Sequence, residues 1–91
     1  MNVRRHFYFS GRVQGVGFRY RATYAARAAN LTGWVKNLWD GRVEMEIQGD
    51  DAQITHLLYE LRKDRFIRIT GLESEELPLV DGEREFHPTG Y

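Results

Sequence analysis

The sequence predicts an α+β sandwich, a largely antiparallel sheet with two helices packed on one face. Three observations carry that expectation. Strand-like alternation and helix-like periodicity follow one another in the order β-α-β-β-α-β. An Asp-Gly pair separates two alternating runs, as a hairpin would. The 91 residues are 42% hydrophobic, which suits one domain spanning residues 1–91 around one core. The element order is the split βαβ of the ferredoxin-like class.

Each element has its own signal. "VRRHFYFS" (residues 3–10) alternates Val3, Arg5, Phe7 and Phe9 against Arg4, His6, Tyr8 and Ser10, the period of a strand. From Phe18, "FRYRATYAARAAN" puts Phe18, Ala22, Ala25, Ala26 and Ala29 on one helical face, with Asn30 and Gly33 as stop signals. "GWVKNLW" (33–39) reads as the second strand and "RVEMEIQ" (42–48) as the third, joined by a two-residue turn at Asp40–Gly41. In the third, Val43, Met45 and Ile47 face inward and Glu44 and Glu46 outward. Asp50 opens a second helix, with Gln53 placed as in a capping box and Ile54, Leu57, Leu58 and Leu61 as the buried stripe. "RFIRITGLE" (65–73) reads as a fourth strand through Ile67 and Ile69, and "ELPLVDGE" (76–83) as loop. "REFH" (84–87) makes a short fifth strand ended by Pro88. Phe7, Phe9, Trp34 and Trp39 are assigned to the core, and Ser10 to a strand end. His56 goes to the exposed side of the second helix, and Glu73 to Glu76 to a solvated acidic run.

Composition narrows the chemistry. The chain has no cysteine, which excludes disulfides, zinc–thiolate sites and thiol nucleophiles. The N-terminal "MNVRRHFYFSG" holds no long apolar run, so neither signal peptide nor membrane span is expected, and the chain reads as cytoplasmic. His6, His56 and His87 stand on different elements without ligand spacing, so neither metal nor cofactor is expected. Residues 1–39 carry Arg4, Arg5, Arg12, Arg19, Arg21, Arg27 and Lys36 and no acid; the first acid is Asp40. Such asymmetry can mark an anion site. Arg12 and Lys36 are either part of that field or solvated rim charges. The zero net charge argues against a broad nucleic-acid footprint.

The densest signal is "GRVQGVGFRY" (11–20), three glycines between a strand and a helix. There, backbone N–H groups and the helix dipole can converge on an anion. The Walker pattern fails because no Gly-Lys-Ser/Thr closes the loop, and the dinucleotide pattern fails because Tyr20 replaces its third glycine. The loop is short, with room for one phosphoryl group. Arg19 at the helix start has a planar fork that can clasp two phosphate oxygens. On local features alone the stretch is either such a cradle or an ordinary turn.

"SGRVQGVGFRY" (10–20) and "GWVKNLWDGRVE" (33–44) resemble the two signatures of the acylphosphatase family, in the family's order and spacing. The resemblance is close over Ser10–Glu44 and fades after Arg65. It implies hydrolysis of acyl phosphates to carboxylate and inorganic phosphate, with no metal. It further implies that Gln14, Gly15, Val16, Gly17 and Phe18 cradle the phosphoryl oxygens, that Arg19 binds them, and that Asn37 orients the attacking water. The expected ligand is a small-molecule acyl phosphate, with inorganic phosphate or sulfate competing. Neither nucleic acid nor membrane is an expected partner, and the chain is expected to be a monomer. An alternative keeps the cradle without turnover, as a phosphate- or carbamoyl-phosphate-binding regulatory module. RNA binding ranks below both, because Phe18 starts a helix where RRM aromatics belong on central strands.

Overall fold

The aromatic alternation of the first run sets the sheet. In the structure, a computed structural model that describes residues 1–90, β1 (Asn2–Arg12) lies inside the sheet, antiparallel to β3 (Val43–Asp50) on one side and β4 (Arg68–Leu77) on the other. β2 (Thr32–Asn37) pairs antiparallel with β3 and parallel with β5 (Phe86–Thr89). The strand order is therefore β4-β1-β3-β2-β5. The helices α1 (Phe18–Ala28) and α2 (Asp51–Lys63) lie against each other and against one face of the sheet. Phe7, Phe9, Val35, Val43, Met45 and Ile47 from the sheet close one core with Phe18, Ala22 and Ala26 of α1 and Ile54, Leu57 and Leu61 of α2. The ferredoxin-like expectation holds, with the parallel β5 making the sheet mixed. No helix among the described residues is long and apolar enough to cross a membrane.

The two helices start differently. α2 is fully capped: Asp50 accepts from the Gln53 amide at 3.3 Å, and Asp51 places a negative charge in the first turn, as the helix dipole favours. α1 begins at Gly17, with no side-chain cap and no acid in its first turn.

The other face of the sheet is polar. Arg4, whose neighbours Val3 and Arg5 point the opposite way, is 3% exposed there and is held by carboxylates. Its Nε donates to Glu46 at 2.6 Å, and its Nη1 to Glu83 at 2.8 Å and Gln48 at 3.2 Å. Glu83 sits on the 78–85 connection, which must run from the β4 edge to the β5 edge. Gln48 holds the same connection by donating to the Val80 carbonyl at 2.9 Å and accepting from its amide at 2.8 Å. A buried guanidinium left without partners costs several kcal/mol, so Arg4 and the strap depend on each other.

Six local expectations are corrected. The β2–β3 hairpin is not a two-residue turn, because the ladder closes between Leu38 and Arg42, with a 2.8 Å bond from the Leu38 amide to the Arg42 carbonyl. Trp39, Asp40 and Gly41 form the loop, Gly41 taking positive φ at its third position, as three-residue hairpins require. Trp39 consequently projects beyond the sheet and is 95% exposed instead of belonging to the core; Trp34 is only half-buried, on the polar face. β4 continues through Glu73–Glu76 to Leu77, since an edge strand tolerates, and gains solubility from, a row of acids. β5 runs through Pro88, opposite Val35, because an edge strand has one side on which a missing N–H leaves no ladder bond unmade. β1 likewise passes Ser10 to reach Arg12, by a register shift at Ser10/Gly11.

Burial pushes the Glu83 carboxyl up, but bonds from Arg4 and Thr32 and the Arg4 charge outweigh it and hold its pKa below the ordinary 4.5. A carboxyl whose folded pKa is depressed adds stability above its unfolded pKa and loses it as pH falls through the folded one. Unfolding free energy should therefore drop below pH about 4.5, less steeply in Glu83→Gln. Arg4→Ala, which strands two carboxylates, should cost about 3 kcal/mol at pH 7. Urea unfolding across pH checks both; a neutral Arg4→Ala would mean that the strap is held by something else.

Candidate active site

The loop that leaves β1 is built from alternate inward and outward commitments. Val13 is buried, Val16 packs against the core, and Phe18 is buried with its ring 4.8 Å from that of Phe9. Between these anchors Gly15 has φ 73° and Gly17 φ 84°, a region that costs a residue with a Cβ about 1–2 kcal/mol. Both glycines thus supply positive φ, a point that sequence could not assign. The side chains of Val16 and Phe18 are turned into the core, so the loop presents backbone. Among the described residues no backbone carbonyl accepts from the amides of residues 15–20; the first α1 bond at this end is from Arg21 N to Gly17 O at 2.9 Å. The uncapped start of α1 and the two left-handed glycines together leave a concave row of donors.

Gln14 does not face that concavity with its side chain. Its Nε2 donates to the carbonyls of Leu38 and, at 2.9 Å, Arg42, the pair that closes the β2–β3 hairpin. This side-chain role is additional to the place expected of Gln14 in the loop, which concerns the loop and not the side chain. The glutamine pins the loop to the hairpin, and its only local sequence signal was a polar residue between two core valines. The same clamp places Asn37, the last residue of β2 and half-buried, next to Leu38 and therefore beside the loop.

Arg19 stands in the first turn of α1, half-buried, its Nη1 3.5 Å from the Thr89 carbonyl at the end of β5. Thr89 pairs with Lys36 in the register, so β5 brings this support to within one residue of Asn37. Sequence reading missed Thr89, because a proline inside the last strand disguised the ladder. The glycine loop, Arg19 and Asn37 therefore share one end of the sheet. Lys36 leaves this group: it points to the polar face, 3.7 Å from Glu44 and over the Trp34 ring at 5.5 Å. Arg42 is likewise occupied, its Nε 2.9 Å from Asp40 and its guanidinium 4.6 Å over the Tyr8 ring. The Arg42 amide first, against desolvation, and then the Arg42 side chain hold the Asp40 pKa below the ordinary 3.8. The histidines stay apart, with His6 2.7 Å from Glu44 on the polar face and His56 two-thirds exposed on α2.

Chemically the site offers fixed N–H dipoles, a planar cation and a neutral amide. That set suits a tetrahedral oxyanion with charge spread over several oxygens. The comparisons with known proteins agree with this reading. The family model Acylphosphatase matches residues 5–88. The acylphosphatase of Clostridium beijerinckii is 43% identical over 77 residues, 84% of this chain and 86% of that one. That of Pseudomonas paraeruginosa is 48% identical over 75 residues, 81% of this chain and 82% of its own. The crystal structure of acylphosphatase from Bacillus subtilis has a TM-score of 0.88 at 31% identity, covering 97% of this chain and 99% of that one.

The clamp gives a test that separates donor from size. Gln14→Ala removes two hydrogen bonds and should lower unfolding free energy by about 1–2 kcal/mol. Gln14→Glu keeps the shape but sets an acceptor-only carboxylate against two carbonyl oxygens, so at pH 7 it should melt below the alanine variant. Thermal unfolding of the two reads this directly; a glutamate variant as stable as wild type would show that the amide donor is dispensable.

Proposed function

The chain belongs to the acylphosphatase family and hydrolyses the carboxyl–phosphate bond of acyl phosphates to a carboxylate and inorganic phosphate; from that premise we propose which of its groups do the work. The phosphoryl group sits in the loop Gln14–Phe18, its oxygens taken by the backbone amides of residues 15–19. Arg19 clasps two of those oxygens. Asn37 holds the water that attacks phosphorus in line with the departing carboxylate. The observation that supports this most is the row of amides at residues 15–20 without backbone acceptors, at the uncapped start of α1.

The reaction asks little else of the protein. A carboxylate leaving group has a conjugate acid of pKa about 4, so it departs at pH 7 without a general acid. Phosphoryl transfer passes through a loose transition state, in which positioning and stabilisation of charge on the equatorial oxygens matter most. The amides and Arg19 supply the charge stabilisation. An amide side chain both donates and accepts, so Asn37 can hold a water without deprotonating it. No step requires a metal ion, and activity is expected to survive chelation. Inorganic phosphate and sulfate, which resemble the transferred group, should compete. We assign the enzyme to the cytoplasm as a monomer.

Hydrolysis of benzoyl phosphate by wild type beside Arg19→Gln tests the assignment, with activity expected to be lost in the variant. Arg19→Lys should be nearly as damaging, because an ammonium cannot reproduce the two-pronged contact. The loss of such a contact costs on the order of 3–4 kcal/mol, or roughly 10²–10³-fold in rate. A lysine variant that keeps half the activity would mean that only net charge matters. Asn37→Asp preserves shape while adding charge. A base gains little where the water has lost little of its proton, and a carboxylate near the substrate dianion costs on the order of 1–4 kcal/mol per like-charge pair. Asn37→Asp should therefore be at least as inactive as Asn37→Ala near pH 7, with some recovery in acid. An aspartate variant more active than the alanine one would remove Asn37 from the water-orienting role.

A further inference from the structure

A second concavity lies at the same end of the sheet as the glycine loop. Arg12, at the end of β1, pairs across the ladder with Arg68 at the start of β4. Arg62 comes from the last turn of α2 and Arg65 from the segment after it. With Asp64 and Ile67 these four arginines line a cleft of ≈ 380 Å³, and all four are exposed. The acids near them are committed elsewhere. Asp64 gives Oδ2 to Arg21 at 2.7 Å and Oδ1 to the amides of Phe66 and Ile67 at 2.8 and 3.2 Å. Glu60 lies 3.3 Å from Lys63 and 3.6 Å from His56. Among the described residues no carboxylate lies within ion-pair distance of Arg12, Arg62, Arg65 or Arg68. Like charges gathered without counter-ions repel one another and concentrate anions from solution, so the grouping costs stability unless a ligand answers it.

One side chain bridges the wall of this cleft and the glycine loop. Arg21 Nε lies 3.9 Å from the position a Cβ on Gly17 would take, and 2.7 Å from Asp64 Oδ2 on the cleft wall. Arg12 precedes Gln14 by two residues. A molecule anchored by its phosphoryl group at Gly15–Arg19 therefore has a second cationic concavity within a short chain's reach.

We infer that the arginine cleft is a second anion subsite of the same enzyme, one that takes a carboxylate or phosphate at the far end of the acyl group. The inference rests on the acyl phosphate reading and narrows it: the preferred substrates are acyl phosphates that carry a second, distal anion. Guanidinium forks match carboxylate and phosphate oxygens in pairs. Holding a substrate at both ends also fixes the scissile bond in the cradle, so distal binding contributes to positioning at the reacting centre.

The test compares adipoyl phosphate with hexanoyl phosphate, which have the same chain length and differ in the distal carboxylate, at low ionic strength where exposed charges are least screened. Wild type is expected to favour adipoyl phosphate in kcat/KM by roughly tenfold or more, the scale of hydrogen bonds to charged groups. The double variant Arg62→Gln/Arg65→Gln should bring that ratio close to unity while hexanoyl phosphate turnover is unchanged, and Arg62→Lys/Arg65→Lys should retain part of the preference. Equal rates for the two substrates in wild type, or a preference that survives in the glutamine variant, would overturn the subsite alone. Failure to hydrolyse either substrate would overturn the acyl phosphate reading, and the subsite with it.

Discussion

Two hydrogen bonds from a single side-chain amide set the geometry of the working end of this protein. Gln14 donates to the carbonyls of Leu38 and Arg42, joining a loop that follows β1 to a hairpin that follows β2. Without that link the loop that carries the donors would lose its tie to the hairpin that follows Asn37. The link costs little, because both carbonyls lie at the mouth of a hairpin whose own ladder closes there. It also explains why the cradle can afford so few internal bonds. The α1 start has a glycine N-cap without a side-chain bond and no acid in its first turn, while α2 in the same chain has both the bond and the acid. The deficit is about a few tenths of a kcal/mol for the cap and roughly 0.3–1 kcal/mol for the acid. In the function proposed above, a cap on α1 would occupy the amides that the phosphoryl group takes.

The opposite end of the sheet is organised around stability instead. Arg4 is buried among Glu46, Gln48 and Glu83, and the same glutamine grips the strap backbone at Val80. Charges that are costly to bury singly are here mutually satisfied, and they fix the route by which the chain returns to lay down β5. That strand supplies the Thr89 carbonyl beside Arg19. A polar network at one end thus determines the support of a guanidinium at the other, through a strand of four residues.

Much of this was legible in sequence. Alternation placed β1 and β3, and the alanine face and capping box placed both helices, because each reflects a local rule that tertiary packing did not override. The candidate site is proposed from the same kind of local signal, since Gly15, Gly17, Arg19 and Asn37 lie in short motifs. What escaped was non-local. The hairpin length depended on the β2–β3 register, so Trp39 fell outside the core. The acidic run Glu73–Glu76 became strand because β1 offered it an edge. Pro88 stayed in a strand because that strand has only one neighbour. The side-chain role of Gln14 required knowing which carbonyls would stand opposite it, and the arginine cleft required knowing that β4 starts beside the end of β1.

The central position of β1 has a consequence in time. It is made before either of its partner strands, since its ladders join Val3 to Gly49 and Arg4 to Leu77. At a synthesis rate of about 5–20 residues per second, the segment "VRRHFYFS" waits roughly 3–15 seconds for its second partner strand to exist. β3 is made earlier and can pair with it, but until β4 exists one edge of this aromatic, β-prone stretch stays open, and sequence-distant pairing of this kind is slow. Arg4 and His6, which alternate with Phe7 and Phe9, keep one face of that segment polar until β4 pairs with it.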